Sequence, residues 1–337
     1  MILLWTDAGP DVGLGHVSRG LALADELARR GAPCRFALPA DVTAREWLRS
    51  AGHVDSIMLP GDAALPAVLA AARDAAAVVA DVRAPLGREA VRMLGAGRSV
   101  VVVDNAGPGV ADADVVVAPF GQPRDARWLA GPAHVPLRRT GSVGVRRSRS
   151  ARRVPTVLVS MGASDPTALT VRVAEALADV AAPRVRAHVV ANPRTPVWSV
   201  LPALLGRLGF PPARPIAPGA MAAHLAGADV AVLALGVTVY EALAAGVSTV
   251  VLCRNADDEA HARSLEARDA LVCIEAGAPA SVIAGAVCAL LRDSERRAAL
   301  GRAGHALVDG RGAARIVDRL LDAMAAKEGD GARRLEA

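Results

Sequence analysis

The sequence predicts an α/β protein of two similar domains facing a central cleft, each domain a parallel sheet with helices on both faces. Three observations carry this expectation. Short apolar runs alternate with Ala/Leu-rich helical stretches from the first residues onward, the order that builds parallel sheets. The runs are continuous, as in Val100–Val103, which suits strands buried on both faces. The alternation stops at an Arg-rich stretch near the middle and then starts again. A chain of 337 residues is long enough for two domains at roughly 150 residues each.

In the first domain, residues 1–140, Ile2–Trp5 reads as a strand, followed by a Gly-rich turn and a helix over Val17–Arg30. Cys34–Leu38 reads as the next strand and Ala44–Ala51 as a short helix. Ala76–Asp81, Ser99–Asp104 and Val115–Ala118 are further strands, with a helical pattern over Leu86–Ala96. Seven arginines then sit among Ser, Gly and Thr between Arg138 and Arg153. Such a segment buries too little apolar surface to order itself, so 141–153 is expected to be a linker. Phosphate binding by these arginines is the alternative.

The second domain, 154–312, repeats the pattern. Thr156–Ser160, Val185–Ala191, Val230–Ala234 and Thr249–Cys253 read as strands. Pro166–Asp179, Ala220–Ala226, Thr238–Ala245, Ala260–Arg268, Pro279–Leu291 and Ser294–Leu307 read as helices. Residues 313–326 form a last helix, and the polar 327–337 is expected to fray. Open α/β sheets bind ligands at the carboxyl ends of their strands, so the cleft is the expected site.

Composition narrows the function. An apolar share of 53% with 22% charged residues excludes a disordered chain, and 2% aromatics leaves Ala, Val and Leu to build the cores. No window of about 18 apolar residues lacks a charge or a helix breaker, so no membrane span is expected. The start, Met1 to Asp7, has no basic segment and meets an acid at once, so a cytoplasmic protein is expected. Cys34, Cys253, Cys273 and Cys288 are widely spaced; they read as buried free thiols, with neither a disulfide framework nor a metal site. The net charge of +5 is almost all arginine, with Lys327 the only lysine. It reads as a compositional bias and not as a nucleic-acid footprint, which needs a basic stripe with interleaved aromatics. It does suit an anionic small-molecule substrate.

Three motifs carry chemistry. Gly13-Leu-Gly15-His16-Val-Ser-Arg19 follows the first strand. Its glycines allow a tight turn and close approach of a ligand, and the helix start that follows presents amides to an anion. His16 at that start suits a general base; its alternative reading is an ordinary cap. Ser160-Met-Gly162-Ala163-Ser164-Asp165-Pro166 follows the first strand of the second half. Asp165 reads as an N-cap with Pro166 at the first helical position, leaving amides around Gly162–Ser164 for a phosphate. Leu235-Gly236-Val237-Thr238-Val-Tyr240-Glu241 comes third. Thr238 and Glu241 form a capping-box pattern; the alternative for Glu241 is to accept both hydroxyls of a ribose. Tyr240 serves either packing or contact.

The three motifs, in this order and spacing, resemble the PseG/SpsG family of nucleotide-sugar hydrolases and spore-coat polysaccharide proteins, over Asp7 to about Leu321. The family's Asp-Ala element and Gly-x-Gly-His-x-x-Arg-x-x-x-Leu-Ala motif are matched by Asp7-Ala8 and Gly13 to Ala24. Its Asp-terminated strands are matched at Asp81 and near Asp104, its Asp-Pro turn at Gly162 to Pro166, and its Gly-x-Thr-x-Tyr-Glu element at Gly236 to Glu241. The resemblance implies a GT-B-like fold of two Rossmann-like domains, with a MurG-like C-terminal half holding most of the UDP. It implies hydrolysis at the anomeric carbon of a UDP-linked (di)acetamido-deoxy sugar, in polysaccharide or pseudaminic-acid-like synthesis, without a cofactor or metal. His16 would activate water, with Asp7, Gly13, Gly15, Arg19 and Asp81 on the sugar side. Gly162–Asp165 and Gly236–Thr238 would hold the diphosphate, Glu241 the ribose, and Asp257 and Asp258 would stand where the family has Asn-Gln.

The chain departs from the family at Trp5-Thr6, where an Arg is usual, at Ala163 and Leu235, where Gly is usual, and at Val82-Arg83, where His-Tyr types are common. The rival readings are a GT-B glycosyltransferase using an acceptor hydroxyl, a catalytically silent nucleotide-sugar-binding protein, and, more remotely, a nucleotide-sugar 2-epimerase.

Overall fold

The computed structural model describes residues 1–9, 12–60, 64–139, 154–165, 167–180, 185–217 and 219–335. The chain forms two compact units, Met1–Arg139 with Gly310–Ala337, and Thr140–Asp309. The expected linker at 141–153, and Pro166, lie outside the described residues.

The first unit runs β1 (Ile2–Thr6), α1 (Gly15–Arg29), β2 (Cys34–Pro39), α2 (Val42–Ser50), β3 (Ser56–Leu59), α3 (Ala64–Ala71), β4 (Ala77–Asp81), α4 (Arg88–Leu94), β5 (Ser99–Val103), β6 (Val115–Ala118) and β7 (Trp128–Ala130). The sheet is parallel throughout, in the order β3-β2-β1-β4-β5-β6-β7. Strands β1, β4 and β5 are buried along their whole length, as the apolar runs require. Helix α1 lies tight on this sheet because of Gly20: a Cβ there would come within 2.9 Å of both Thr6 and Phe36.

The second unit runs β8 (Thr156–Ser160), α5 (Leu169–Ala178), β9 (Arg186–Ala191), α6 (Pro196–Arg207), β10 (Arg214–Pro215), α7 (Met221–Gly227), β11 (Val230–Ala234), α8 (Val237–Ala244), β12 (Ser248–Leu252), α9 (Ala256–Glu266), β13 (Val272–Ile274), α10 (Ala280–Arg292) and α11 (Ser294–Leu307). Its sheet, also parallel, has the order β10-β9-β8-β11-β12-β13. Both units are therefore Rossmann-like.

The last helix, α12 (Gly312–Leu335), packs against α1 in the first unit. It continues past the end expected at 326 and through most of the stretch expected to fray. Lys327 Nζ holds it by donating to Asp114 Oδ2 at 2.7 Å and to the Arg98 carbonyl at 2.8 Å. Cys253, just after β12, and Cys273, on β13, are buried free thiols with sulfurs 3.6 Å apart, whereas Cys34 and Cys288 are only half-buried. Among the described residues no helix is long and apolar enough to cross a membrane.

Candidate functional site

Each sheet reverses its strand order once, at β1/β4 in the first unit and at β8/β11 in the second. The loops leaving adjacent strands part at such a point and open a crevice at the carboxyl ends. All three sequence motifs lie there: the first after β1, the second after β8, the third after β11.

In the first unit the Asp7 amide donates to the Asp81 carbonyl, which joins the exit of β1 to the end of β4. The Asp7 carboxylate accepts from the Arg83 amide at 2.6 Å and so fixes the loop after β4. The Gly13 amide donates to the Gly9 carbonyl at 2.8 Å, closing the turn that leads into α1. Helix α1 starts at Gly15, with Leu14 as N-cap and no side-chain cap. His16 is therefore not a cap, and its ring turns elsewhere.

Its Nδ1 donates to Asp81 Oδ1 at 2.6 Å. Arg19, one turn along the same helix face, grips the same carboxylate with two nitrogens: Nη2 donates to Oδ1 at 2.6 Å and Nε to Oδ2 at 2.8 Å. Its Nη1 donates to Asp104 Oδ2 at 3.1 Å. Asp81 is 1% exposed and the side chain of His16 14% exposed. Burial would push the Asp81 carboxyl up, but the Arg19 guanidinium and the His16 hydrogen bond outweigh it and hold Asp81 below the usual carboxylate range. Burial likewise opposes the charge on Arg19, yet Asp81 and Asp104 hold its pKa above the ordinary value.

An ionised carboxylate only accepts, so a hydrogen of His16 sits on Nδ1, and in the neutral ring the lone pair is on Nε2. Aspartate thus sets the tautomer and orientation of an imidazole that can take a proton. The sequence places Asp104 at the end of an apolar run, near the family's second Asp-terminated strand; its place in this cluster depends on the β4–β5 pairing.

In the second unit Gly162 adopts φ +83° in the turn after β8, a left-handed conformation that favours glycine. The Ala163 carbonyl accepts from Asn192 Nδ2 at 2.8 Å, which anchors this turn to the end of β9. Asp165 does not stand at the N-cap: α5 begins at Leu169 after Ala168. Its carboxylate instead reaches forward to the amides of Leu169 and Thr170, at 2.8 and 3.2 Å, and caps the helix from a distance. Ser164 lies in the turn between them.

The third motif is corrected in the same way. Helix α8 begins at Val237 with Gly236 as N-cap, so Thr238 lies inside the first turn and forms no capping box with Glu241. The Gly236 cap has no side chain to offer the first amides of α8, and Gly236 itself is exposed. Glu241 is half-buried one turn along. Tyr240 is buried, and its hydroxyl meets His261 Nε2 on α9, a packing role.

Asp257 is exposed in the first turn of α9, whereas Asp258 is buried. Asp258 accepts from Arg254 Nε at 2.7 Å and from the Arg254 amide at 3.0 Å. Arg254 Nη2 also donates to the Leu235 carbonyl at 3.2 Å. Asp258 is thereby neutralised and serves to place a guanidinium beside the Leu235-Gly236 turn. Sequence reading missed Arg254. Among the described residues there is no group of three or more His, Cys, Asp or Glu that could hold a metal ion.

No protein-family model and no curated protein matches the chain. Solved structures do match its fold. MurG of Acinetobacter baumannii is 18% identical, with a TM-score of 0.66 over 95% of this chain and 99% of its own. The spinosyn rhamnosyltransferase SpnG, complexed with thymidine diphosphate, is 17% identical, with a TM-score of 0.64 over 94% and 99%. A Listeria monocytogenes protein assigned as a UDP-N-acetylglucosamine 2-epimerase is 15% identical, with a TM-score of 0.61 over 94% of both chains. The chain thus has the two parallel-sheet α/β domains of the GT-B fold.

Proposed function

We propose that the chain is a nucleotide-sugar hydrolase of the PseG/SpsG type, releasing UDP from a UDP-linked (di)acetamido-deoxy sugar for polysaccharide or pseudaminic-acid-like sugar synthesis. The observation that carries the reading is the hydrogen bond of His16 Nδ1 to buried, ionised Asp81, which leaves Nε2 as a base at the switch point of the first sheet.

In this reading His16 Nε2 takes a proton from water as the water oxygen attacks the anomeric carbon. The bond from that carbon to the β-phosphate oxygen breaks, and UDP departs with the electron pair. A positioned base contributes on the order of 10²–10⁴-fold. The Gly162–Asp165 turn and the uncapped start of α8 at Gly236, Val237 and Thr238 hold the diphosphate, since helix amides favour an anion. The Arg254 guanidinium, its charge balanced by Asp258, brings N–H donors beside that turn, and Glu241 accepts the ribose hydroxyls. The fold neighbours MurG and SpnG support nucleotide-sugar chemistry.

SpnG, a rhamnosyltransferase by name, also favours a second reading, a glycosyltransferase in which an acceptor hydroxyl replaces water. Turnover in ¹⁸O-labelled water separates the two. The hydrolase puts the label on the anomeric carbon of the free sugar and none on UDP. UDP release only after adding an acceptor contradicts the hydrolase and favours transfer.

A further inference from the structure

Asn105 stands in the loop after β5 and uses the whole of its side-chain amide. Its Nδ2 donates to the carbonyls of Val82 and Ala84, both at 2.9 Å, and its Oδ1 accepts from the amides of Leu86 at 3.0 Å and Gly107 at 2.9 Å. A side-chain amide offers two donor hydrogens and two acceptor lone pairs, so each of its positions is filled. The bond to Gly107, two residues on, is the one an asparagine makes for its own turn. The other three reach back 19 to 23 residues along the chain, into the loop that leaves β4. The two loops also interlock. A Cβ at Gly107 would run into the backbone of Leu86, and the Leu86 carbonyl accepts from the Gly109 amide at 2.8 Å.

The consequence lies in where this tie sits. The β4–β5 ladder ends at the pair Ala80 and Val102. Asp81 and Asp104, the two acids that share Arg19, lie beyond it. Each stands immediately before a segment that the tie joins: Asp81 before Val82, and Asp104 before Asn105 itself. The separation of the two carboxylates, and the angle at which Asp81 meets His16, are therefore set where the ladder no longer holds. With its amide fully used, Asn105 bonds to neither acid nor to His16. It acts through the loop and not on the reacting atoms.

We propose that Asn105 is a positioning residue for the His16–Asp81 pair. By tying the exit of β4 to the exit of β5, it holds Asp81 at the spacing and angle at which its carboxylate fixes the Nδ1 hydrogen of His16. The inference rests on the reading of His16 as a base for its effect on turnover, but not for its effect on the hydrogen bond.

The test compares Asn105→Asp and Asn105→Ala with wild type at neutral pH. Asn105→Asp keeps the shape and the acceptor for Leu86 and Gly107, but it turns a carboxylate oxygen, which cannot donate, towards the Val82 and Ala84 carbonyls. Asn105→Ala removes the whole tie. Three quantities are read: the proton resonance of His16 Nδ1–H, assigned by its loss in His16→Ala; kcat and KM for UDP release from a UDP-diacetamido sugar, with UDP affinity by calorimetry; and Tm. In both variants the resonance should move upfield or broaden away. The value of kcat should fall on the order of 10²-fold, the cost of a misplacement of about 1 Å, while UDP affinity stays and KM changes less than kcat. A merely structural role lowers Tm and leaves the resonance and kcat of the folded protein as in wild type; that result overturns the proposal. A loss of kcat with the resonance unmoved overturns it too. If Asn105→Ala does not fold, the isosteric Asn105→Asp decides. If wild type shows the resonance but releases no UDP, the hydrolase reading fails while the resonance in the variants still judges Asn105. If wild type shows no such resonance, the proposal falls.

Discussion

His16 and Arg19, one turn apart on α1, converge on the same oxygen of Asp81, each at 2.6 Å. Helix periodicity puts the two side chains on one face, and the parallel pairing of β1 with β4 brings the carboxylate to meet them. One buried acid thereby orients the His16 imidazole and anchors a guanidinium that reaches on to Asp104.

Replacing Asp81 separates the two tasks. Asp81→Asn keeps the shape but loses the charge that pins the Nδ1 hydrogen of His16. The expected loss in kcat is on the order of 10²–10⁴-fold, with UDP binding unchanged. Asp81→Ala also strands the buried Arg19 charge, a change that costs about 3–5 kcal/mol. Denaturant unfolding of the two variants checks this, and the alanine variant should be the less stable.

Acid should weaken the first unit through the same group. Asp81 is held below its ordinary carboxylate range in the folded chain, so its contribution to stability is present above the unfolded value of roughly 4. That contribution is lost as pH falls through the lower folded value. Urea unfolding between pH 7 and pH 3 should show wild-type stability falling below about pH 4, with a shallower fall in Asp81→Asn.

Glu241 offers a test confined to the nucleotide. If its carboxylate accepts both ribose hydroxyls, Glu241→Gln weakens UDP binding by roughly ten- to hundredfold. Binding of 2′-deoxy-UDP should change much less, because one of the two contacts is already missing. Equal losses for both nucleotides would assign Glu241 to packing.

Gly20 tests the placement of the helix that carries His16. A Cβ there lies 2.9 Å from Phe36 Cε1 and from Thr6 Cγ2, both of which belong to buried residues. Gly20→Ala should cost about 1–3 kcal/mol by overpacking and lower kcat by moving His16 and Arg19 off Asp81. Thermal unfolding and UDP release on the same sample measure both effects.

The central strands were legible in the sequence because burial on both faces leaves unbroken apolar runs such as Val100–Val103. The edges were not. Ser56–Leu59 and Trp128–Ala130 are half-buried and hold apolar runs of only three residues, and Arg214–Pro215 is exposed, so none stands out from the loops around it. Helix α6 was hidden by Pro196 and Pro202, which read as breakers although Pro196 stands at a permitted first position. In the site, the glycines, His16 and the strand-ending acids were visible as motifs. The Arg19 fork, the long reach of Asp165 and the Arg254–Asp258 pair were not, because each depends on contacts that local spacing does not specify. The capping-box reading of Thr238 failed for a local reason: the N-cap is Gly236, two residues earlier, and the helix begins at Val237.

The central claim is that His16 is the base of a hydrolysis. The most direct measurement is UDP release, without acceptor, from a panel of UDP-amino sugars by wild type and His16→Ala, with UDP affinity measured on both. The account predicts release by wild type, a loss on the order of 10²–10⁴-fold in the variant, and equal UDP affinity. Release at the same rate in His16→Ala, with UDP bound equally, would contradict it.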